Sequence, residues 1–302
     1  MGTGTTTRLP RRRVRSSGSR ERRVTLLGPA EIRDLADQLE LQPTKKLGQN
    51  FVVDGNTVRR IVRVAKVHAG DEVLEVGPGL GSLTLGLLEA GALVTAVEID
   101  GRLATQLPLT VAELAPDAAG RLTVITDDAM KVTELPGAPA RLVANLPYNV
   151  SVPVLLHLLQ TVPSLQTALV MVQAEVGQRI AADPGSKVYG SPSVKAAWYG
   201  RWSTAGQVSR QVFWPVPNVD SILVSFERAA ALPGSERERL DTFALVDAAF
   251  GQRRKMLRQA LSAMFGGSAA ASARLEAAGI DPTLRGEQLT VLEFLRVARA
   301  GL

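Results

Sequence analysis

The tetrapeptide Asn145-Leu146-Pro147-Tyr148 carries residue types suited to holding a flat amine-bearing base. An Asn side-chain oxygen and an adjacent backbone carbonyl can accept both N–H bonds of one exocyclic amino group. Proline and tyrosine rings beside them offer an apolar face for stacking. Such a set holds an adenine or cytosine amino group while that group reacts. The plainer alternative is a strand-to-helix turn, since Asn and Pro are common turn residues.

The placement of the tetrapeptide favours the chemical reading. Arg141 to Ala144 has the composition of a strand, so Asn145 stands at a strand's carboxyl end, where open α/β sheets bind ligands. Three earlier strand ends carry similar signals. Asp71 to Val76 leads into Gly77-Pro78-Gly79-Leu80-Gly81 and then a helix from Ser82 to Ala90. Glycines there allow a sharp turn and close approach of a ligand to the backbone. Ala92 to Val97 ends at Glu98, whose carboxylate can accept two ribose hydroxyls. Leu122 to Thr126 ends at Asp127-Asp128, and Asp128 can accept from an adenine amino group. Gly, Glu, Asp and Asn thus occupy successive strand ends on one sheet edge. A dinucleotide enzyme shares the loop and the Glu. Against it, Ser82 stands where G-x-G-x-x-G needs its third glycine.

The supporting elements alternate. Helical spacing covers Ala30–Leu41, Asn56–Lys66 and Val152–Gln160, and a further helix breaks near Pro108. Ala168–Val172 reads as a fifth strand, followed by a helix to Ala182 and a loop over Pro184–Gly190. Repeated strand–helix alternation predicts a parallel doubly wound sheet. Beyond it, Ser193–Tyr199, Val208–Phe213 and Ile222–Phe226 read as strands, the last two as an antiparallel pair across Trp214-Pro215-Val216-Pro217. Ala229–Gly234 reads as a linker, and the chain from Glu236 is helical in pattern. The expected organisation is a basic disordered tail over 1–29, a catalytic domain over 30–228 and a small helical domain over 229–302.

Composition narrows the function classes. The chain has 302 residues and no cysteine, which excludes disulfides, thiolate metal sites and Cys nucleophiles. His68 and His157 are the only histidines, so no metal site is expected. No apolar run reaches the ~18 residues of a membrane span, and a cytoplasmic protein is expected. Residues 1–23 hold eight arginines and one acid, so this segment alone exceeds the net charge of +6 and the remainder is close to neutral. On that body Arg253, Arg254, Lys255 and Arg258 form a basic cluster suited to RNA phosphates, or simply a solvated helix face.

Together, Gly48-Gln49-Asn50-Phe51, Glu75 to Gly81, Glu98, Asp128-Ala129-Met130, Asn145 to Tyr148 and Phe213 to Ser221 resemble the ribosomal RNA adenine dimethyltransferases. Pro184–Gly190 and Gln252–Arg258 are similar to the branch associated with kasugamycin sensitivity, which dimethylates two adjacent adenosines near the 3′ end of 16S rRNA. Val188 and Met256 depart from that branch, where an acidic residue and Thr are common. The resemblance implies a Rossmann-like methyltransferase domain that uses S-adenosyl-L-methionine, with a helical C-terminal domain. It implies cofactor contacts at Asn50, Val52, Gly77, Gly79, Glu98, Asp128 and Asn145. It implies an adenine pocket at Asn145, Leu146, Pro147, Tyr148 and Phe213, and a small-subunit rRNA partner. Alternatives are a large-subunit enzyme of the macrolide-resistance type, a DNA amino-methyltransferase, or a non-catalytic assembly factor on the same fold.

Overall fold

The structure is a computed structural model describing residues 24–41 and 50–300. The arginine-rich segment through residue 23, and Gly48 and Gln49, lie outside the described residues.

A seven-stranded sheet organises the chain. Its strands are β2 (Glu72–Val76), β3 (Leu93–Glu98), β4 (Leu122–Thr126), β5 (Arg141–Asn145), β6 (Thr167–Gln173), β7 (Gly200–Val208) and β9 (Ser221–Arg228). The spatial order is β4-β3-β2-β5-β6-β9-β7. The first five are parallel, whereas β9 runs antiparallel to both β6 and β7. A separate two-stranded ladder joins β1 (Phe51–Val52) to β8 (Phe213–Trp214). The order reverses between β2 and β5. That crevice is where doubly wound sheets bind ligands.

Helices α2 (Gly55–Val64), α3 (Ser82–Glu89), α4 (Gly101–Leu114) and α5 (Ser151–Thr161) cover the parallel strands. Both sheet faces are packed, and β6 displays the reason for its unbroken apolar run. Ala168, Val170 and Val172 enter one core cluster, while Leu169 and Met171 enter the other. The period-2 alternation of a strand sends each set to its own face. The first cluster continues through Trp198 into Val246 and Phe294. The C-terminal helices therefore share a core with the sheet. They include α8 (Glu236–Gly251), α9 (Leu257–Ala260), α11 (Ser268–Ala277) and α12 (Val291–Arg299).

Four local expectations are revised. Ser193–Tyr199 is not a strand: α7 (Ser191–Ala197) occupies it, with Pro192 in its first turn and the Gly190 N–H donating to Ser193 Oγ at 3.0 Å. The strand in this region is β7, whose polar, exposed side chains suit a sheet edge. An antiparallel pair does flank residues 214–217, but its first strand is β7, whose Val208 faces Ser221 of β9, and not Val208–Phe213: residues 210–212 form a 3₁₀ turn and β8 pairs with β1. Pro108 does not break α4, because Leu103, Ala104, Leu107 and Val111 bury one continuous face. Residues 24–28, assigned to the tail, pack on the body: Leu27 is buried, and the Thr25 N–H donates to the Leu114 carbonyl at 2.9 Å.

Candidate active site

β2 passes directly into the glycine loop. Gly77 and Gly79 take φ of +67° and +58°, which side-chain-bearing residues rarely adopt. At Gly79 a Cβ would also lie 2.8 Å from the Phe51 ring. The backbone therefore passes beneath that ring only because the side chain is missing. Glu98, at the end of β3, is 5% exposed. Its two oxygens accept the Gly79 N–H at 3.1 Å and the Asp100 N–H at 3.0 Å. Burial raises its pKa, and these backbone donors oppose that shift. After β4, Asp128 accepts the Met130 N–H at 2.9 Å through Oδ1.

Asn145 closes the crevice from β5. Its Nδ2 donates to the Asn50 carbonyl at 3.0 Å, which fixes the amide orientation. Oδ1 is the acceptor end of that amide. These groups line one cleft of about 950 Å³, its open mouth included. Asn50, Val52, Gly77, Gly79, Glu98, Asp128, Asn145 and Pro147 all belong to it.

The charge of the cleft selects among ligands. Glu75, Glu98, Asp127 and Asp128 line it, and among the described residues no Lys or Arg does. A pyrophosphate would meet these carboxyl groups with no balancing Lys or Arg among the described residues. An adenosine carrying a sulfonium and an ammonium fits: Glu98 can accept ribose hydroxyls, Asp128 can accept the adenine amino group, and the acids favour the positive charges. The donor set thus suits S-adenosylmethionine and disfavours a nicotinamide dinucleotide. Glu75 is a wall residue that sequence reasoning gave no role. It is 1% exposed, accepts the Thr84 hydroxyl at 2.7 Å, and burial lifts its pKa to about 8. Its place inside an apolar strand concealed it.

The expected base-pocket residues are only partly together. Leu146 buries its side chain in the core, so only its backbone is offered to a base. Tyr148 is half-buried beside the cleft without lining it, and its hydroxyl lies 2.7 Å from Ser221 Oγ. Phe213 departs from expectation. It is 1% exposed, pairs with Val52 and does not line the cleft. The β1–β8 ladder turns it into the core, leaving Trp214 stacked on Phe51 with ring centroids 6.4 Å apart.

The basic cluster also divides. Residues 252–255 form a turn between α8 and α9 and not a helix face. Arg253 pairs with Glu287 at 2.8 Å and donates to the Lys187 carbonyl at 2.8 Å. The Gly185 N–H donates to the Glu287 carbonyl, also at 2.8 Å. Arg253 thus ties the 184–190 loop to the C-terminal helices. Arg258 is half-buried and its charge lowers the pKa of Asp281, behind the Thr283 hydrogen bonds. Arg254 and Lys255 are exposed and have no ion-pair partner among the described residues.

Residues 41–300 match the sequence pattern of the ribosomal RNA adenine dimethylases. The chain belongs to that family. It is accordingly an S-adenosylmethionine-dependent enzyme of the ribosomal RNA adenine dimethylases. Among similar relatives, ribosomal RNA small subunit methyltransferase A of Leifsonia xyli is 74% identical over 275 residues, covering 91% of this chain and 98% of that protein. Its counterpart of the same name in Streptomyces coelicolor is 60% identical over 274 residues, covering 90% and 96% respectively. Among solved structures, a dimethyladenosine transferase from Plasmodium falciparum superposes with a TM-score of 0.69 at 23% identity, covering 81% of this chain and 94% of that one. The 23S rRNA methyltransferase ErmE gives 0.62 at 25% identity, covering 83% and 99%. The chain shares the Rossmann-like methyltransferase fold with these structures. No helix among the described residues is long and apolar enough to cross a membrane.

Proposed function

We propose that this chain dimethylates the exocyclic amino groups of two adjacent adenosines near the 3′ end of 16S rRNA in the small subunit or its precursor. The 74% identity to a protein named for the small subunit, against 25% to a 23S enzyme, favours this substrate over the large subunit. The observation that carries the site assignment is the Asn145 amide. Its nitrogen is committed to Asn50, so its oxygen remains as acceptor beside the glycine loop. In this reading Asn50, Val52, Gly77, Gly79, Glu98, Asp128 and Asn145 hold the cofactor, which supplies an electrophilic methyl on a sulfonium.

Adenine's amino nitrogen is a poor nucleophile because its lone pair is delocalised into the ring. Two N–H bonds, to Asn145 Oδ1 and the Leu146 carbonyl, favour a more pyramidal nitrogen with a localised lone pair. Pro147 and Tyr148 offer the stacking face, and Phe213 supports Val52 from the paired strand β8. Most of the acceleration is then positioning and charge complementarity. The methylated nitrogen becomes acidic and loses its proton to water, so no side-chain base is required. The target base must be unstacked to enter. Arg254 and Lys255 would contact rRNA phosphates, with Arg253 and Arg258 supporting the turn.

The test is tritiated methyl transfer to small subunits lacking dimethyladenosine, with the modified positions mapped, beside large subunits and DNA. Incorporation into the two adjacent adenosines is expected. Transfer to large subunits or DNA, or cofactor binding without transfer, would overturn the assignment.

A further inference from the structure

Ser221 opens β9, and its side chain is fully buried at 0% exposure. Its hydroxyl oxygen lies 2.7 Å from that of Tyr148, across 73 residues of sequence. The serine backbone is held from both sides, facing Gln173 on β6 and Val208 on β7. It is therefore one of the more rigidly placed hydroxyls near the site, while Tyr148 sits on a half-buried turn.

The preceding residue grips the other side. The Asp220 carbonyl accepts the Ala174 N–H at 3.0 Å, and its carboxylate accepts the Arg210 N–H at 3.1 Å. Arg210 in turn donates to the Asn218 carbonyl at 3.1 Å. Asp220 thereby closes the 210–220 segment, which carries Phe213 and Trp214. Two consecutive residues hold Tyr148 on one side and the Phe213 segment on the other.

We infer that Ser221 is a positioning residue that sets the ring of Tyr148, and that its contribution is largest in the second methyl transfer to each base. The inference rests on the reading in which Tyr148 stacks on the target adenine. An unmodified amino group has two N–H bonds with which to align itself on Asn145 and Leu146. After one methyl addition a single N–H remains, and half of that alignment is lost. Ring stacking must then orient the base, and a ring free to pivot orients it poorly. No bond to the substrate is made by Ser221 itself.

The experiment is single-turnover methylation of unmodified small subunits at saturating cofactor, with mono- and dimethyladenosine quantified separately. Ser221→Ala, Tyr148→Phe and the double variant each delete the same hydrogen bond, with Tyr148→Ala as reference. Rates are normalised to the folded fraction from thermal melts. Each single variant is expected to slow the second transfer roughly three- to tenfold, the range for one net hydrogen bond, and the first transfer less. Monomethyladenosine should accumulate, and the double variant should be no slower than the slower single one. Unchanged second-transfer rates, equal slowing of both transfers, or multiplying effects in the double variant would overturn the inference. Normal methylation by Tyr148→Ala would instead sink the underlying base-stacking reading, so the two failures are distinguishable.

Discussion

The cofactor half of the cleft and the base half are built in different ways. Gly77, Glu98 and Asp128 end β2, β3 and β4, three strands successive in the chain and adjacent in the parallel sheet. The strand–helix repeat itself delivers them to one edge. The proposed base side lies at the end of β5, held by contacts to β9, where the sheet abandons that repeat for antiparallel pairing. Its contacts are long-range, as Tyr148 with Ser221 and Asn145 with Asn50 illustrate. In the proposed reading, the nucleotide site comes from the regular part of the fold, and selectivity for the acceptor from where that regularity ends.

This contrast can be broken in stages. The largest expected effect is on stability, from Phe213→Ala, which removes a ring that is 1% exposed. A loss of about 3–5 kcal/mol is expected in denaturant unfolding. A small loss would mean the ring is a pocket wall and not core. Asn145→Ala comes next, with methyl transfer reduced about 10²–10³-fold by analogy with deleted transition-state partners. Single-turnover rates near normal would remove Asn145 from the chemistry.

On the cofactor side, Glu98→Ala should weaken S-adenosylmethionine binding by about 1.5–3 kcal/mol, measured by calorimetric titration. Glu75 offers a pH test in the same cleft. The folded state holds its proton up to about 8, while the unfolded chain releases it near the ordinary carboxylate value. Its contribution to stability is thus full at acidic pH, falls as pH rises toward about 8 and levels off above. Thermal melts of Glu75→Gln should lack this decline, and an unchanged slope would assign it elsewhere. The smallest effect is expected at the cationic turn. Changing Arg254 and Lys255 to Glu should weaken subunit binding and reduce its salt slope by about one per lost phosphate contact. Cofactor affinity should hold.

The parallel strands were readable because apolar runs end at Gly, Glu, Asp or Asn, a pattern carried by a few neighbouring residues. The same local logic failed at α7, where Val194, Ala196 and Trp198 are buried at a spacing of two and mimic a strand. It passed over β7 because an exposed edge strand has little apolar signature. At the site, residues whose roles follow from strand-end placement were legible. Ser221 was not, since its meaning depends on a partner 73 residues away. Arg253 and Arg254 look alike in sequence, and only Glu287 and the Lys187 carbonyl separate them.

The Arg253 tie has a consequence for what the enzyme can accept. The 184–190 loop follows α6 (Ala174–Ile180), which begins where β6 ends, and β6 is hydrogen-bonded to the strand that ends in Asn145. The cationic turn is therefore linked to the proposed acceptor amide through the 184–190 loop, α6 and the β5–β6 ladder. In the proposed reading the enzyme works as a gauge of fixed span. An RNA qualifies when its fold sets a backbone stretch and a loose adenine that far apart, so an rRNA bearing the right bases in another fold would fail to engage both ends at once.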